Sequence, residues 1–167
     1  MQYRALGIRG SAPFGAILDH LTARGLRAVL MDPDYIAGPD HVISAAIHAE
    51  RAFADGTARS KTFETEVILY CAWERQIGRA NDRMRPKDGT TEYALLIAGD
   101  GDPRLEEIGV ETDPSILAVD EEKINRLGLS DPFLSPEDQA LENVAAVDLL
   151  KNRTASNLQF NLLRFAQ

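Results

Sequence analysis

Acidic side chains in the second half of the chain are the first candidates for chemistry. Asp100 and Asp102 lie in a Gly-Asp-Gly-Asp-Pro run after an apolar segment, and Asp113 follows further along. Such carboxylates could hold magnesium or act as a paired acid and base. Acidic turns after strands are nevertheless common, because Asp and Gly satisfy turn geometry. The chain also has no phosphate-cradling glycine loop, so the signal from these carboxylates is weak. The alternative hypothesis is therefore a small metal-dependent hydrolase or nucleotide-binding enzyme that uses them.

Histidine and cysteine form no recognisable catalytic or metal-binding pattern. His41 and His48 are seven residues apart, whereas a zinc site would use an i, i+4 pair or a Cys/His cluster. We expect both histidines to lie on a helix surface, and Cys71, within an apolar run, to be a buried free thiol. The chain also has no Gly-x-Ser-x-Gly elbow and no dinucleotide-binding glycine motif. We therefore predict a protein that is not an enzyme and uses no cofactor and no metal.

The charge of the chain is unevenly distributed. The net charge of -8 over 167 residues argues against broad, nonspecific binding of nucleic acid. Residues 51–87 nevertheless hold eight basic and five acidic side chains, a net of +3, whereas residues 100–150 hold fourteen acidic and three basic, a net of -11. One region could thus attract phosphates while another repels them.

Three arginines recur every four residues in the basic region. On a helix, Arg75, Arg79 and Arg83 would form one basic ridge. The alternative is a solvated helix face on which they pair with Glu74 and Asp82.

The elements that must position these residues follow from hydrophobic periodicity and from turn residues. The chain opens β-α-β, with a helix long enough to cross over a sheet. The predicted strands are Tyr3–Arg9, Leu26–Met31, Tyr93–Ala98 and Ser115–Val119. The predicted helices cover 13–24, 39–55, 62–73, 74–84, 104–108, 121–127 and 136–151, although the apolar run within 62–73 could also be a buried strand.

These elements predict an α/β (mixed α+β) fold in which a small mixed sheet of about four strands packs with several helices. A single domain would cover residues 1–151, and a C-terminal tail, 152–167, would pack on it or bind a partner. No apolar run approaches the roughly 18 residues of a membrane span, and the N-terminus has no long apolar segment typical of a signal peptide. We therefore expect a cytoplasmic protein.

The last predicted helix is apolar over a wide arc. An arc wider than one packed face would leave an apolar patch, which usually marks an interaction site. We expect the partner-binding residues of this helix to be Leu141, Val144, Val147 and Leu150.

Two motifs carry a family resemblance. They read Asp40-His-Val-x-x-Ala-x-x-His-Ala-x-Arg-Ala-Phe53, followed by Arg59-Ser60, and Glu66-x-x-Leu-Tyr-x-Ala-x-Glu-Arg-Gln-Ile77. Together they resemble the kinase-binding regulatory subunit of the KEOPS complex, in its archaeal form, a family also called the PRPK-binding or TPRKB-like proteins. The Arg-Gln-Ile after the Leu-Tyr segment is the most specific part. One departure is Trp73, where the family usually has glycine.

The resemblance implies an α/β protein that performs no chemistry itself. It would bind the small kinase-like ATPase subunit of KEOPS, the complex that installs threonylcarbamoyl on the adenosine beside the anticodon of certain tRNAs. It would also hold the single-stranded CCA end of the tRNA, and be monomeric outside the complex. We expect the tRNA-binding residues to be Arg51, Arg59, Lys61, Trp73, Arg75, Gln76 and Arg79.

Overall fold

The computed structural model describes residues 2–151, with side chains as far as residue 150. The tail predicted over 152–167 lies outside the described residues. The described part forms a four-stranded sheet and six α-helices, so the predicted mixed α/β class is confirmed. None of the helices in this range is both long enough and apolar enough to cross a bilayer.

The sheet is antiparallel at every pairing within the described residues, and in this detail it differs from the mixed sheet that we predicted. Its strands are β1 (Tyr3–Arg9), β2 (Arg27–Met31), β3 (Glu92–Ala98) and β4 (Glu111–Thr112). The order is β2-β3-β1-β4, with β3 paired antiparallel to both β1 and β2. β1 and β2 are therefore parallel to each other, as the β-α-β opening requires, but β3 is inserted between them.

The helices begin and end within three residues of the predicted positions. They are α1 (Phe14–Ala23), α2 (Pro39–Ala54), α3 (Phe63–Cys71), α4 (Ile77–Met84), α5 (Glu121–Leu127) and α6 (Pro136–Lys151). The ambiguous apolar run is the helix α3, which carries a Thr62 side-chain cap on Thr65 N–H.

The predicted strand Ser115–Val119 is wrong. The chain forms a 3-10 turn at Pro114–Ile116 instead, and the fourth strand is the short Glu111–Thr112 before it. The cause is local, because Pro114 has no N–H for a strand ladder and the Asp113 carboxylate accepts a hydrogen bond from Ser115 N at 3.0 Å.

The two faces of the sheet bury two separate apolar clusters. One face packs against α1 through residues such as Ile8, Leu95 and Ile97. The other face, which includes Val29 and Leu96, packs against α2, α3, α4 and α6. All of the predicted RNA-binding residues belong to this second, helix-rich side.

Helix α6 runs parallel to α2. Ala140 packs with Ala37 near the beginnings of the two helices, and Asp148 meets His48 further along. The contact between Ala140 and Ala37 lies at the end of the turn before α2. One side of α6 is therefore buried against the protein along most of the helix.

Candidate functional site

The connection between α2 and α3 is fixed by a buried carboxyl group. Glu66 has no exposed surface, although it lies in the first half of α3. Its Oε1 accepts hydrogen bonds from Ser60 N and Ser60 Oγ, both at 2.9 Å, and from Arg59 N at 3.0 Å. Three donors from two successive residues hold the loop in one shape. Glu66 thereby fixes the backbone from which Arg59 and Lys61 project into solvent.

A shallow pocket of about 440 Å³ lies beside this loop, and Lys61 is on its rim. The aromatic rings of Tyr3 and Phe63 stack there with centroids 5.9 Å apart, and the guanidinium of Arg27 lies 5.2 Å above the Phe63 ring. Phe53 is 39% exposed, and the Glu50 carboxylate also lines the pocket. The exposed Phe53 ring, with Lys61 in the same lining, is suited to stacking a nucleobase.

The turn between α3 and α4 contains a strained tryptophan. Trp73 has a φ of 56°, in the left-handed region where a side chain is costly and glycine is favoured. This conformation gives a physical reason for the glycine that the resembling family usually has. The Trp73 ring stacks on the His41 ring, with the ring centroids 5.2 Å apart, and packs against two apolar clusters. The ring is thus already engaged inside the protein, which weakens the expectation that it receives a base.

His41 is buried, so the predicted helix-surface role is wrong for this residue. It is 1% exposed, and its Nδ1 accepts a hydrogen bond from Ala37 N at 2.9 Å. Its Nε2–H then donates to the Cys71 carbonyl, also at 2.9 Å. Burial lowers the pKa of His41 to about 4, so the neutral ring is the stable form. The two hydrogen bonds join the start of α2 to the end of α3.

His48 also departs from a plain surface role. Its Nδ1 lies 2.7 Å from Asp148 Oδ2, and the Tyr70 hydroxyl donates a hydrogen bond to the other oxygen of Asp148. Burial, together with this hydrogen bond, raises the pKa of Tyr70. The three side chains join α2, α3 and α6.

The basic ridge exists only in part. α4 begins at Ile77, so Arg75 precedes the helix and does not share its face with Arg79. Arg83 is exposed, but its Nη1 donates to the Ala72 carbonyl at 2.6 Å, so this side chain is engaged in holding the turn. Arg75 and Arg79 are exposed, and within residues 2–150 their side chains have no hydrogen bond or ion pair. The alternative pairing with Glu74 and Asp82 is therefore absent from these described contacts.

The structure divides the seven predicted RNA-binding residues into two groups. α2 and α3 are antiparallel, since the end of α3 meets the start of α2 while Glu66 meets the loop after α2. Nine residues of α3 at 1.5 Å each separate the groups by about 13 Å. The first group is Arg51, Arg59 and Lys61; the second is Trp73, Arg75, Gln76 and Arg79.

The predicted partner surface on α6 needs correction. Val144 and Val147 have no exposed surface, because they complete the same apolar cluster as Ala45 and Ala49 of α2. A side chain in the core of this chain cannot face a partner. Leu141 and Leu150 are half-buried, and the outward residue is Leu149, which is 72% exposed.

The carboxylates of the alternative hypothesis are not gathered into one site. Asp113 N donates to the Gly7 carbonyl, and Gly7 is paired with Ala94, whereas Asp100 follows the far end of β3. Asp113 instead accepts from Ser115 and pairs with Arg9 at 2.9 Å. Within residues 2–151, no group of three or more His, Cys, Asp or Glu side chains is arranged to hold a metal ion.

Comparison with known proteins identifies the family of this chain. Residues 15–131 match the family model described as "Kinase binding protein CGI-121". The chain is also similar to the protein named "Regulatory protein Cgi121" of Methanocaldococcus jannaschii, with 28% identity over 151 residues. That alignment covers 87% of this chain and 97% of the relative. The family match includes both basic groups and ends before α6.

Proposed function

The chain belongs to the CGI-121 family of kinase-binding proteins, and from this premise we propose that it is a non-catalytic regulatory subunit of the KEOPS complex. In this role it binds the small kinase-like ATPase subunit in the cytoplasm. It also binds the single-stranded CCA end of the tRNA that the complex modifies with threonylcarbamoyl.

One observation carries the RNA part of the proposal. Arg75 and Arg79 are exposed and have no partner among the described side chains, although the chain as a whole is strongly acidic. An exposed guanidinium without a carboxylate partner is ready to bind a phosphate. A protein that binds a single RNA end needs only a local basic patch, and the acidic remainder discourages binding elsewhere along the RNA.

The two basic groups suit a short single strand better than a duplex. Single-stranded RNA is recognised by stacking on aromatic rings and by contacts with its backbone. Here Arg75, in the α3–α4 turn, and Arg79, in the first turn of α4, lie at one end of α3. The pocket of Phe53, Phe63 and Lys61 lies at the other end. We propose that the strand follows α3, with its phosphates on the arginines and a base in the pocket.

The experiment compares two variants with the same loss of charge. In the first, Arg75 and Arg79 are both changed to Gln; in the control, Arg24 and Arg104 are changed to Gln. The control arginines are exposed and lie on the α1 side of the sheet. Fluorescence anisotropy measures the affinity of each protein for intact tRNA and for tRNA trimmed of its CCA nucleotides, over a series of salt concentrations.

We expect the first variant to bind intact tRNA at least about tenfold more weakly, because two charge-assisted contacts are lost. The slope of log affinity against log salt should fall by about 1.4 for two phosphates of a single strand. Trimming the CCA end should weaken wild-type binding by a similar factor, and the control variant should bind normally. Equal affinity for trimmed and intact tRNA would refute recognition of the CCA end. An equal loss in both variants would refute the location.

A further inference from the structure

Phe133 is the most exposed large apolar side chain among the described residues, at 91%. It lies with Leu134 in the loop between α5 and α6, two residues after Asp131. A lone exposed aliphatic residue is ordinary on a protein surface. An almost fully exposed phenylalanine followed by a further partly exposed leucine is an unusual arrangement, and aromatic residues of this kind anchor many protein interfaces.

The loop that carries Phe133 is held in one shape by a buried glutamine. Gln139 is 8% exposed and donates from Nε2 to the carbonyls of Asp131 and Leu134, both at 3.0 Å. Its Oε1 accepts from Asp131 N at 3.1 Å. The Asp131 carboxylate in turn accepts from Phe133 N at 2.9 Å. Both N–H donors of Gln139 and its amide oxygen thus fix the backbone on both sides of the phenylalanine.

A fixed loop lowers the cost of binding through Phe133. Ordering a loop at an interface consumes free energy that a preorganised loop does not lose. The hydrogen bonds of Gln139 and Asp131 have already restricted this backbone in the free protein. Leu129 and Ala140, which are buried in a core cluster, anchor its two ends. The phenylalanine is therefore presented to solvent by a rigid support.

The charge around the loop indicates the chemistry of its partner. Exposed carboxylates flank the phenylalanine at Asp131, Glu137 and Asp138, and the sequence has no Lys or Arg between Arg126 and Lys151. Such a surface repels phosphate groups, which argues against RNA and against an anionic membrane. It fits a protein surface with an apolar pocket bordered by Lys or Arg, because complementary charge raises the rate and specificity of association.

We propose that the Phe133 loop, residues 130–135, is the anchor by which this protein docks on its kinase partner, with Phe133 in an apolar pocket that basic residues border. The inference rests on the kinase-binding role of the family. It moves the partner surface from the buried valines of α6 to the loop that precedes this helix.

The test measures the affinity for the kinase-like subunit encoded by the same genome, by isothermal titration calorimetry with the full-length chain. Phe133→Ser is compared with Leu149→Ser, because both remove an exposed apolar side chain and neither touches the core. We expect Phe133→Ser to weaken binding at least about 30-fold, the effect of losing an interface hot spot. Leu149→Ser should change the affinity less than about threefold.

A Gln139→Met variant tests the support of the loop with little change in side-chain volume. It should weaken kinase binding while leaving tRNA affinity unchanged, and it should add little to the loss in Phe133→Ser, since both act on one contact. Additive losses would contradict the positioning role of Gln139.

The outcomes separate the anchor from the kinase-binding role. If wild type binds the kinase and Phe133→Ser binds equally well, the anchor is refuted and the role stands. A larger loss in Leu149→Ser would return the interface to α6, and a dimer that Phe133→Ser dissociates would assign the loop to self-association. If wild type does not bind the kinase at all, the kinase-binding role itself fails and the anchor fails with it.

Discussion

Lowering the pH should destabilise the protein through one buried side chain, His41. In the folded state its pKa is about 4, whereas an unfolded chain holds histidine near its ordinary value of 6.5. Between these values the unfolded chain binds a proton that the folded protein does not, so stability rises with pH. The contribution of neutral His41 is complete above about pH 6.5 and is lost as the pH falls.

The size of the effect follows from the two pKa values. At about 1.4 kcal/mol for each unit of pKa difference, the full effect is about 3 kcal/mol, of which about 2 kcal/mol is lost between pH 7.5 and pH 5. The structural reason is that a proton on Nδ1 would break the hydrogen bond from Ala37 N and place a charge where water cannot reach it. A loss of 2 kcal/mol is a large part of the stability of a domain of this size.

The assay is urea unfolding followed by circular dichroism at pH 7.5, 6.5, 5.5 and 5.0, in wild type and in His41→Asn. The variant should be less stable at pH 7.5, because asparagine cannot make both hydrogen bonds, but its stability should fall less steeply with acid. Subtracting the two curves removes the contributions of other groups. Among them is Asp32, whose pKa is raised by burial and which therefore acts in the opposite direction. Parallel curves, or a His41 NMR resonance that titrates near pH 6.5 in the folded protein, would refute the reasoning.

Two further predictions concern the neighbours of His41. Cys71 is buried and burial raises the pKa of its thiol, so iodoacetamide should alkylate it only when urea unfolds the chain; rapid native labelling, measured by mass spectrometry, would contradict the burial. At position 73, Trp73→Gly should be more stable than Trp73→Ala by about 1 kcal/mol, since glycine has no penalty at a φ of 56°. Both variants should be less stable than wild type, because the ring loses its packing on His41. Urea unfolding checks the order, and an alanine variant as stable as the glycine variant would show that the strain at this turn is small.

Much of the fold could be predicted from local patterns. Hydrophobic periodicity and turn residues predicted the bounds of β1, α1 and α2 closely, because these features act within a few residues. The strand predicted at Ser115–Val119 is absent, because the turn formed by Asp113 and Pro114 outweighs the apolar character of the segment. The antiparallel sheet depends on β3 entering between two earlier strands, which no local pattern encodes.

The candidate site was predictable in composition but not in arrangement. The spacing of Arg75, Arg79 and Arg83 is helical, yet the helix begins after the first of them and the last is used by the turn. The wide apolar arc of α6 indicated an interface, but the parallel packing of α2 buries it. Glu66 and Gln139 looked like ordinary helix residues, because sequence gives no sign that a polar side chain will be buried and used to hold a loop.

The parallel packing of α6 on α2 has a consequence for synthesis of the chain. Asp148 closes on His48 across one hundred residues of sequence, and Val144 and Val147 fill the same cluster as residues of α2 and α3. Contacts of such sequence separation form late in folding, after the local helices and hairpins. On the ribosome, where domains fold as the chain emerges, α2 would keep part of its apolar face uncovered until α6 had been made. Within the described residues, the last helix to be translated is thus the one that completes the helix-rich core.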